Sequence, residues 1–152
     1  MDVQDEIKAL KERIAELEQQ AKQEKEFPQF GDDYWYVDSD TDVLDVAWYG
    51  GEYDQGRLSI GNVFKTKEEA EFVAEKLKVE AELRKYSRPF KHGAKNHTIN
   101  YNHETEMVVN VNATATYQET GSFYFDSYEE VVEAIESVGE ERIKKYIFGI
   151  GD

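Results

Sequence analysis

The chain is 152 residues long with a mass of 17.7 kDa, enough for one domain with a sizeable core and short for two. Its 18 Lys and Arg against 33 Asp and Glu give a formal charge of −15, which opposes sequence-independent binding to phosphate backbones and favours basic partners. An aromatic content of 13% excludes a disordered acidic chain, and zero Cys excludes disulfides, thiol nucleophiles and thiolate zinc sites.

In residues 1–26, Val3, Ile7, Leu10, Ile14, Leu17 and Ala21 recur at alternating spacings of four and three, which predicts a single helix with a heptad seam. With Ile7, Ile14 and Ala21 at a and Val3, Leu10 and Leu17 at d, β-branched residues fall at a and Leu at d, the combination that favours a parallel two-stranded coil. In a parallel pair Glu6 then faces Lys11 of the other copy and Arg13 faces Glu18, opposite signs both times. The expectation is a homodimerisation helix; the alternative is an amphipathic helix folded back on its own domain.

Residues 27–33 hold Pro28 and Gly31 and read as a linker to an α+β domain at 34–152. From Tyr34 to Tyr49 the chain alternates like a hairpin, with Trp35, Val37, Leu44, Val46 and Trp48 on one face and residues 38–42 as the turn. A short strand is expected over residues 57–64, with Leu58 and Ile60 together. Thr66-Lys67-Glu68-Glu69 has the spacing of a capping box, and the helix after it runs to about Tyr86. That helix has two apolar rows: Ala70, Val73, Ala74, Leu77 and Ala81, taken as the core face, and Phe72, Val79, Leu83 and Tyr86. Residues 84–97 are the one basic cluster, with Arg84, Lys85, Arg88, Lys91, His92, Lys95 and His97.

The second half shows a period of two, which predicts that Met107, Val109, Val111, Ala113, Ala115 and Tyr117 face the core. Val108, Asn110, Asn112, Thr114 and Thr116 then face outward. Ile99, Tyr101 and His103 mark the preceding strand, and Phe123 and Phe125 the following one. Ser127-Tyr128-Glu129-Glu130 is a second capping box, opening a helix that ends at Gly139, and a helical turn with Ile143 and Tyr146 closes the chain. Phe64 to Ala70 and Phe125 to Val131 share F-x-[ST]-x-E-E-[AV], so two strand-strand-helix units, whether duplicated or convergent, are expected. The fold class is thus α+β: an N-terminal coiled-coil helix, then a mainly antiparallel sheet with two helices on one face.

Residues 27–56 contain eight acids and no Lys or Arg. Asp32, Asp33, Asp38, Asp40, Asp42, Asp45, Glu52 and Asp54, interleaved with Tyr36, Tyr49 and Tyr53, form the expected partner-binding surface. Carboxylates on a firm edge can occupy Arg and Lys sites that otherwise hold phosphates, while aromatics supply anchors. Asp38-x-Asp40-x-Asp42 begins like a calcium loop, but Val43 stands where a sharp turn needs Gly and Tyr49 where a bidentate Glu belongs, so at most a weak divalent site is expected. His92, His97 and His103 lack zinc-ligand spacing, and no P-loop, G-x-S-x-G or H-E-x-x-H is present. No cofactor, no metal and no catalysis are expected. No apolar run approaches the roughly 18 residues of a spanning helix, and the acidic start is unlike a signal peptide, so a soluble protein that meets no membrane is expected.

The stretch Gly61-Asn62-Val63-Phe64-Lys65-Thr66-Lys67-Glu68-Glu69-Ala70-Glu71, then Glu75-Lys76-Leu77-Lys78-Val79 and Arg84-Lys85-Tyr86, and near the end residues 125–146, resembles short accessory proteins encoded by bacteriophages and prophages of Gram-positive bacteria. The resemblance covers about three quarters of the chain from Tyr34 on and excludes the N-terminal heptads. It implies a phage-borne protein in the host cytoplasm, and it brings no catalytic residues with it. Joined to the acidic segment, it suggests a non-catalytic inhibitor of a basic host protein, a nuclease or other defence effector. The alternatives are a nucleic-acid-binding accessory protein using residues 84–97 and a small metal-dependent enzyme.

Overall fold

The computed structural model describes residues 2–151, apart from the side chains of residues 23–25 and 110–113. The chain is α+β, with five helices and two small antiparallel sheets among the described residues, where the sequence suggested one sheet. It divides into two compact units, residues 1–38 with 43–70, and residues 39–42 with 71–152.

The first unit opens with helix α1 (Val3–Lys25), whose first turn is closed by Asp2 Oδ1 accepting from the Asp5 amide at 3.0 Å. Every described side chain along α1 is exposed. Residues 27–33 are not a free linker: the Gly31 amide donates to the Trp48 carbonyl, the Trp48 amide to the Asp32 carbonyl, and the Gln29 amide to Asp32 Oδ2. These bonds extend the antiparallel pair β1 (Asp33–Val37) and β2 (Val43–Ala47).

The hairpin forms as the alternation predicts, but its register corrects the faces. Tyr34 pairs with Val46 and Tyr36 with Leu44, whereas Trp35 pairs with Asp45 and Val37 with Val43. Directly opposed residues share a face, so Tyr34, not Trp35, lies with Val46 and Trp48. Tyr34 is fully buried, and its ring meets the Trp48 indole edge-on at 5.9 Å between centroids.

The strand expected over residues 57–64 does not form; its first three residues instead close helix α2 (Glu52–Ser59). Its acids lie in the first turn and Arg57 in the last, matching the helix dipole, and this prevails over the short Leu58 and Ile60 alternation. Only the end of that segment pairs. Trp35 and Phe64 exchange both backbone bonds at 2.8 and 2.9 Å, and the Asn62 side chain bonds the Val37 amide and carbonyl. β1 is therefore flanked on both sides, by β2 and by residues 62–64.

Helix α3 (Lys67–Tyr86) starts at the expected box, with Thr66 Oγ1 accepting from the Glu69 amide at 3.2 Å. In the second unit its core contacts come from Val79 and Leu83, with Phe72 against Tyr146, while Leu77 is half exposed. The row taken from the sequence as secondary is the one that faces this core, although Ala70 and Ala74 of the other row are also buried.

The second sheet has the order β4-β3-β5, with β3 (Asn96–Asn102) between β4 (Met107–Thr114) and β5 (Tyr124–Phe125), all antiparallel. The phase expected for β4 is reversed where its side chains are described: Val108 is buried in the core opposite Tyr101, and Met107 is exposed. Asn110, Val111, Asn112 and Ala113, expected on alternating faces, lie outside the described side chains. Tyr117 lies beyond the strand and is exposed. Nor is the polar face of β3 merely solvated, because Asn96 and Thr98 are buried and bonded to backbone carbonyls. Helix α4 (Tyr128–Val138) packs Val131, Ala134 and Val138 on this sheet, its Ser127 cap accepting from the Glu130 amide at 3.2 Å. Gly139, at φ +106, lets the chain turn directly into α5 (Glu140–Tyr146), which buries Ile143. Glu140 accepts from the Val108 amide of the outer strand β4, and Arg142 forms a two-pronged bridge to Glu82 at 2.7 and 3.0 Å.

In both hairpins, then, the first strand is central, a short third segment ending in Phe pairs on its other side, and a capped helix follows in the chain. Phe64 and Phe125, Thr66 and Ser127, and the first residues of α3 and α4 are each 61 positions apart.

Candidate interaction surface

The expected acidic surface falls almost wholly within the hairpin and the α2 segment, and the structure divides it by role. Asp54 is a correction: it is buried and unavailable to a partner. At the third position of α2 its carboxylate reaches back to the amides of Tyr49 and Gly50 at 2.9 and 3.0 Å. Its other oxygen accepts from the Tyr34 hydroxyl at 2.5 Å. Arg57 lies 3.8 Å from the same carboxylate, donates to the Tyr34 oxygen at 2.8 Å, and stacks 3.8 Å above the Tyr36 ring. The donors hold the Asp54 carboxyl below the usual carboxylate range, the Tyr34 hydroxyl first among them. Burial first, then the Asp54 bond, pushes the Tyr34 phenol up. This is a latch between the hairpin and α2. It consumes Asp54, Tyr34, Arg57 and much of Tyr36, and it shows that the acidic segment is partly neutralised by an arginine one residue past its end.

Asp32 is half-buried and spends its carboxylate on the Gln29 amide. Asp33 and Asp45 are exposed on the Trp35 face of the hairpin, opposite to Tyr34. Asp38 is half-buried just past β1, and Asp40 and Asp42 are exposed in the turn. The remaining expected residues, Tyr49, Glu52 and Tyr53, are exposed together around the start of α2.

That last group has neighbours the sequence reading did not include. Glu52, Tyr53, Gly56, Arg57 and Ile60 line a shallow depression on the outer side of α2, and Tyr53 and Ile60 are 82% and 77% exposed. Phe30, 79% exposed, packs edge-on against Tyr49 with 5.3 Å between ring centroids. Single exposed apolar residues are ordinary, whereas several near the start of one helix, with Glu52 exposed beside them, have the composition of a contact surface. The missed signal was helical spacing: Tyr53, Arg57 and Ile60 recur at four and three, hidden by the strand reading of residues 57–64.

The basic segment behaves differently. Arg88 donates to Asp126 and Asn96, and to the carbonyls of Pro89, Lys95 and Phe125. Fully buried Asn96 ties residues 91, 94 and 114 around it. Arg88 is thus an internal clamp on Asp126, Asn96 and backbone carbonyls, and not on the hairpin acids. It holds the Asp126 carboxyl below its ordinary range. Arg84, Lys85, Lys91, His92 and Lys95 remain exposed.

Among the described residues no three His, Asp or Glu side chains converge on a metal-sized site, and no helix is long and apolar enough to cross a membrane. The seam residues Val3, Ile7, Leu10, Ile14 and Leu17 are all exposed. No protein family matches the chain, and neither a characterised protein nor a solved structure shows significant similarity to it.

Proposed function

We propose that this chain is a non-catalytic binding protein of phage type that acts in the cytoplasm of a bacterial host. It presents the acidic, aromatic-rich surface around α2 to a basic protein and so denies nucleic acid its place there. The observation that carries the reading is the exposed set Phe30, Tyr49, Tyr53 and Ile60, with Glu52 among them, on a segment held rigid by the Asp54 latch. Rigid, exposed aromatics lose little entropy on docking and serve as anchors, while Glu52 beside them and the net negative charge of the chain favour an arginine- or lysine-lined groove and speed encounter with it. A nuclease or another defence effector has such a groove, and inhibiting it requires only occupancy.

The test is capture of proteins from a bacterial lysate on the immobilised chain, with Tyr53→Ala and Glu52→Lys variants in parallel. Support is a basic protein retained by the wild-type chain, released by added duplex DNA and by salt, and lost with both variants. Capture indifferent to DNA and to both substitutions would refute the proposal. The competing use of residues 84–97 on nucleic acid has less to support it, because Arg88 is committed internally. A gel shift at low salt, abolished by Arg84→Ala with Lys85→Ala, would favour it instead.

A further inference from the structure

We propose that α1 is the self-association element of this protein, and that the occupant of its apolar face is the same helix of a second copy, parallel and in register. This goes beyond the binding-surface reading and does not depend on it. The sequence left two uses for the seam, and the fold bears on the choice. Val3, Ile7, Leu10, Ile14 and Leu17 are between 40% and 67% exposed, and every other described side chain of the helix is exposed as well. A helix of 23 residues, roughly 35 Å long, gains little stability from propensity alone, and an apolar stripe along its whole length requires cover.

The charges beside the stripe name the occupant. In a parallel, in-register pair Glu6 faces Lys11 of the second copy and Arg13 faces Glu18, twice over by symmetry. Within one chain Arg13 contacts Glu16 at 3.2 Å, an exposed pair whose exchange for an intermolecular one costs little. Ile7 and Ile14 at a with Leu10 and Leu17 at d select two strands over three or four. Both chains leave such a coil at the same end, so a partner with two sites meets two linked copies of the binding surface.

The experiment uses the full chain in sedimentation equilibrium at micromolar concentration, together with three variants. The wild-type chain is expected at twice 17.7 kDa. Leu10→Asp is expected to weaken association about 100-fold or more, because it sets two carboxylates in the seam, while near-UV circular dichroism stays unchanged. Val3→Cys and Leu17→Cys, introduced separately into a chain without Cys, give the orientation. Parallel helices bring each cysteine to its own counterpart, and mild oxidation yields a covalent dimer of either variant alone. Antiparallel helices centred on Leu10 hold two copies of residue 3 roughly 20 Å apart, far outside disulfide reach. A monomer at all concentrations, a trimer or tetramer, a dimer that survives Leu10→Asp, or cross-linking only in the mixture of the two cysteine variants would each overturn the proposal.

Discussion

Removing the Tyr34 hydroxyl strips Asp54 of its shortest donor and Arg57 of an acceptor at one stroke, in a place where water has little access. Tyr34→Phe is therefore expected to cost about 1–3 kcal/mol, measured by urea unfolding with tryptophan fluorescence, since both tryptophans, Trp35 and Trp48, lie in the first unit. The pH dependence has a definite sign. Asp54 has a lowered folded-state pKa, chiefly through Tyr34, so its contribution is complete above the ordinary carboxylate range and is lost as pH falls through the lowered value. Asp54→Asn should be less stable than wild type near pH 7, and the gap should narrow below about pH 4. A constant gap from pH 7 to pH 3 would contradict the latch. None of this was visible in composition, because Asp54 looked like one of eight similar acids and its partners lie 20 residues before and three after it.

Local grammar was the readable part of the elements, and facing was not. Thr66 and Ser127 each accept from the amide three residues on, as their spacing implies, because a cap involves only neighbouring residues. Ser127→Ala is expected to cost about 1 kcal/mol and Ser127→Gly only a few tenths, read as shifts in the urea midpoint. Period-two and helical patterns, by contrast, mark a strand or a helix without saying which side meets the core. Met107-Val108-Val109 is apolar on both faces, and α3 carries two apolar rows, so the neighbouring elements decide. The strand expectation over residues 57–64 rests on Leu58 and Ile60 alone, and it fails at residues 57–59 because the dipole-matched charges from Glu52 to Arg57 favour a helix there. The same local cues recur 61 positions apart, at Phe64 and Phe125 and at Thr66 and Ser127, a likeness that duplication and convergence both explain.

At the scale of the whole molecule, a charge of −15 acts against compaction as well as against aggregation. Raising NaCl from about 10 to about 100 mM shortens the screening length from roughly 30 to 10 Å, so the thermal midpoint should rise by a few degrees. A midpoint that falls with salt would mean that ion pairs such as Arg142 with Glu82, rather than repulsion, dominate the balance. The α+β class was legible, whereas the division into two sheets was not, since it depends on long-range closure that no window of sequence contains. One position in the hairpin has a further consequence for behaviour in a crowded cell. Strand β2 pairs on one side only among the described residues, and its sequence Val43-Leu44-Asp45-Val46-Ala47 would be uniformly apolar without its central acid. A lone carboxylate there makes each stacking event bury an unpaired charge, so Asp45 serves as a gatekeeper against fibril growth from the open edge.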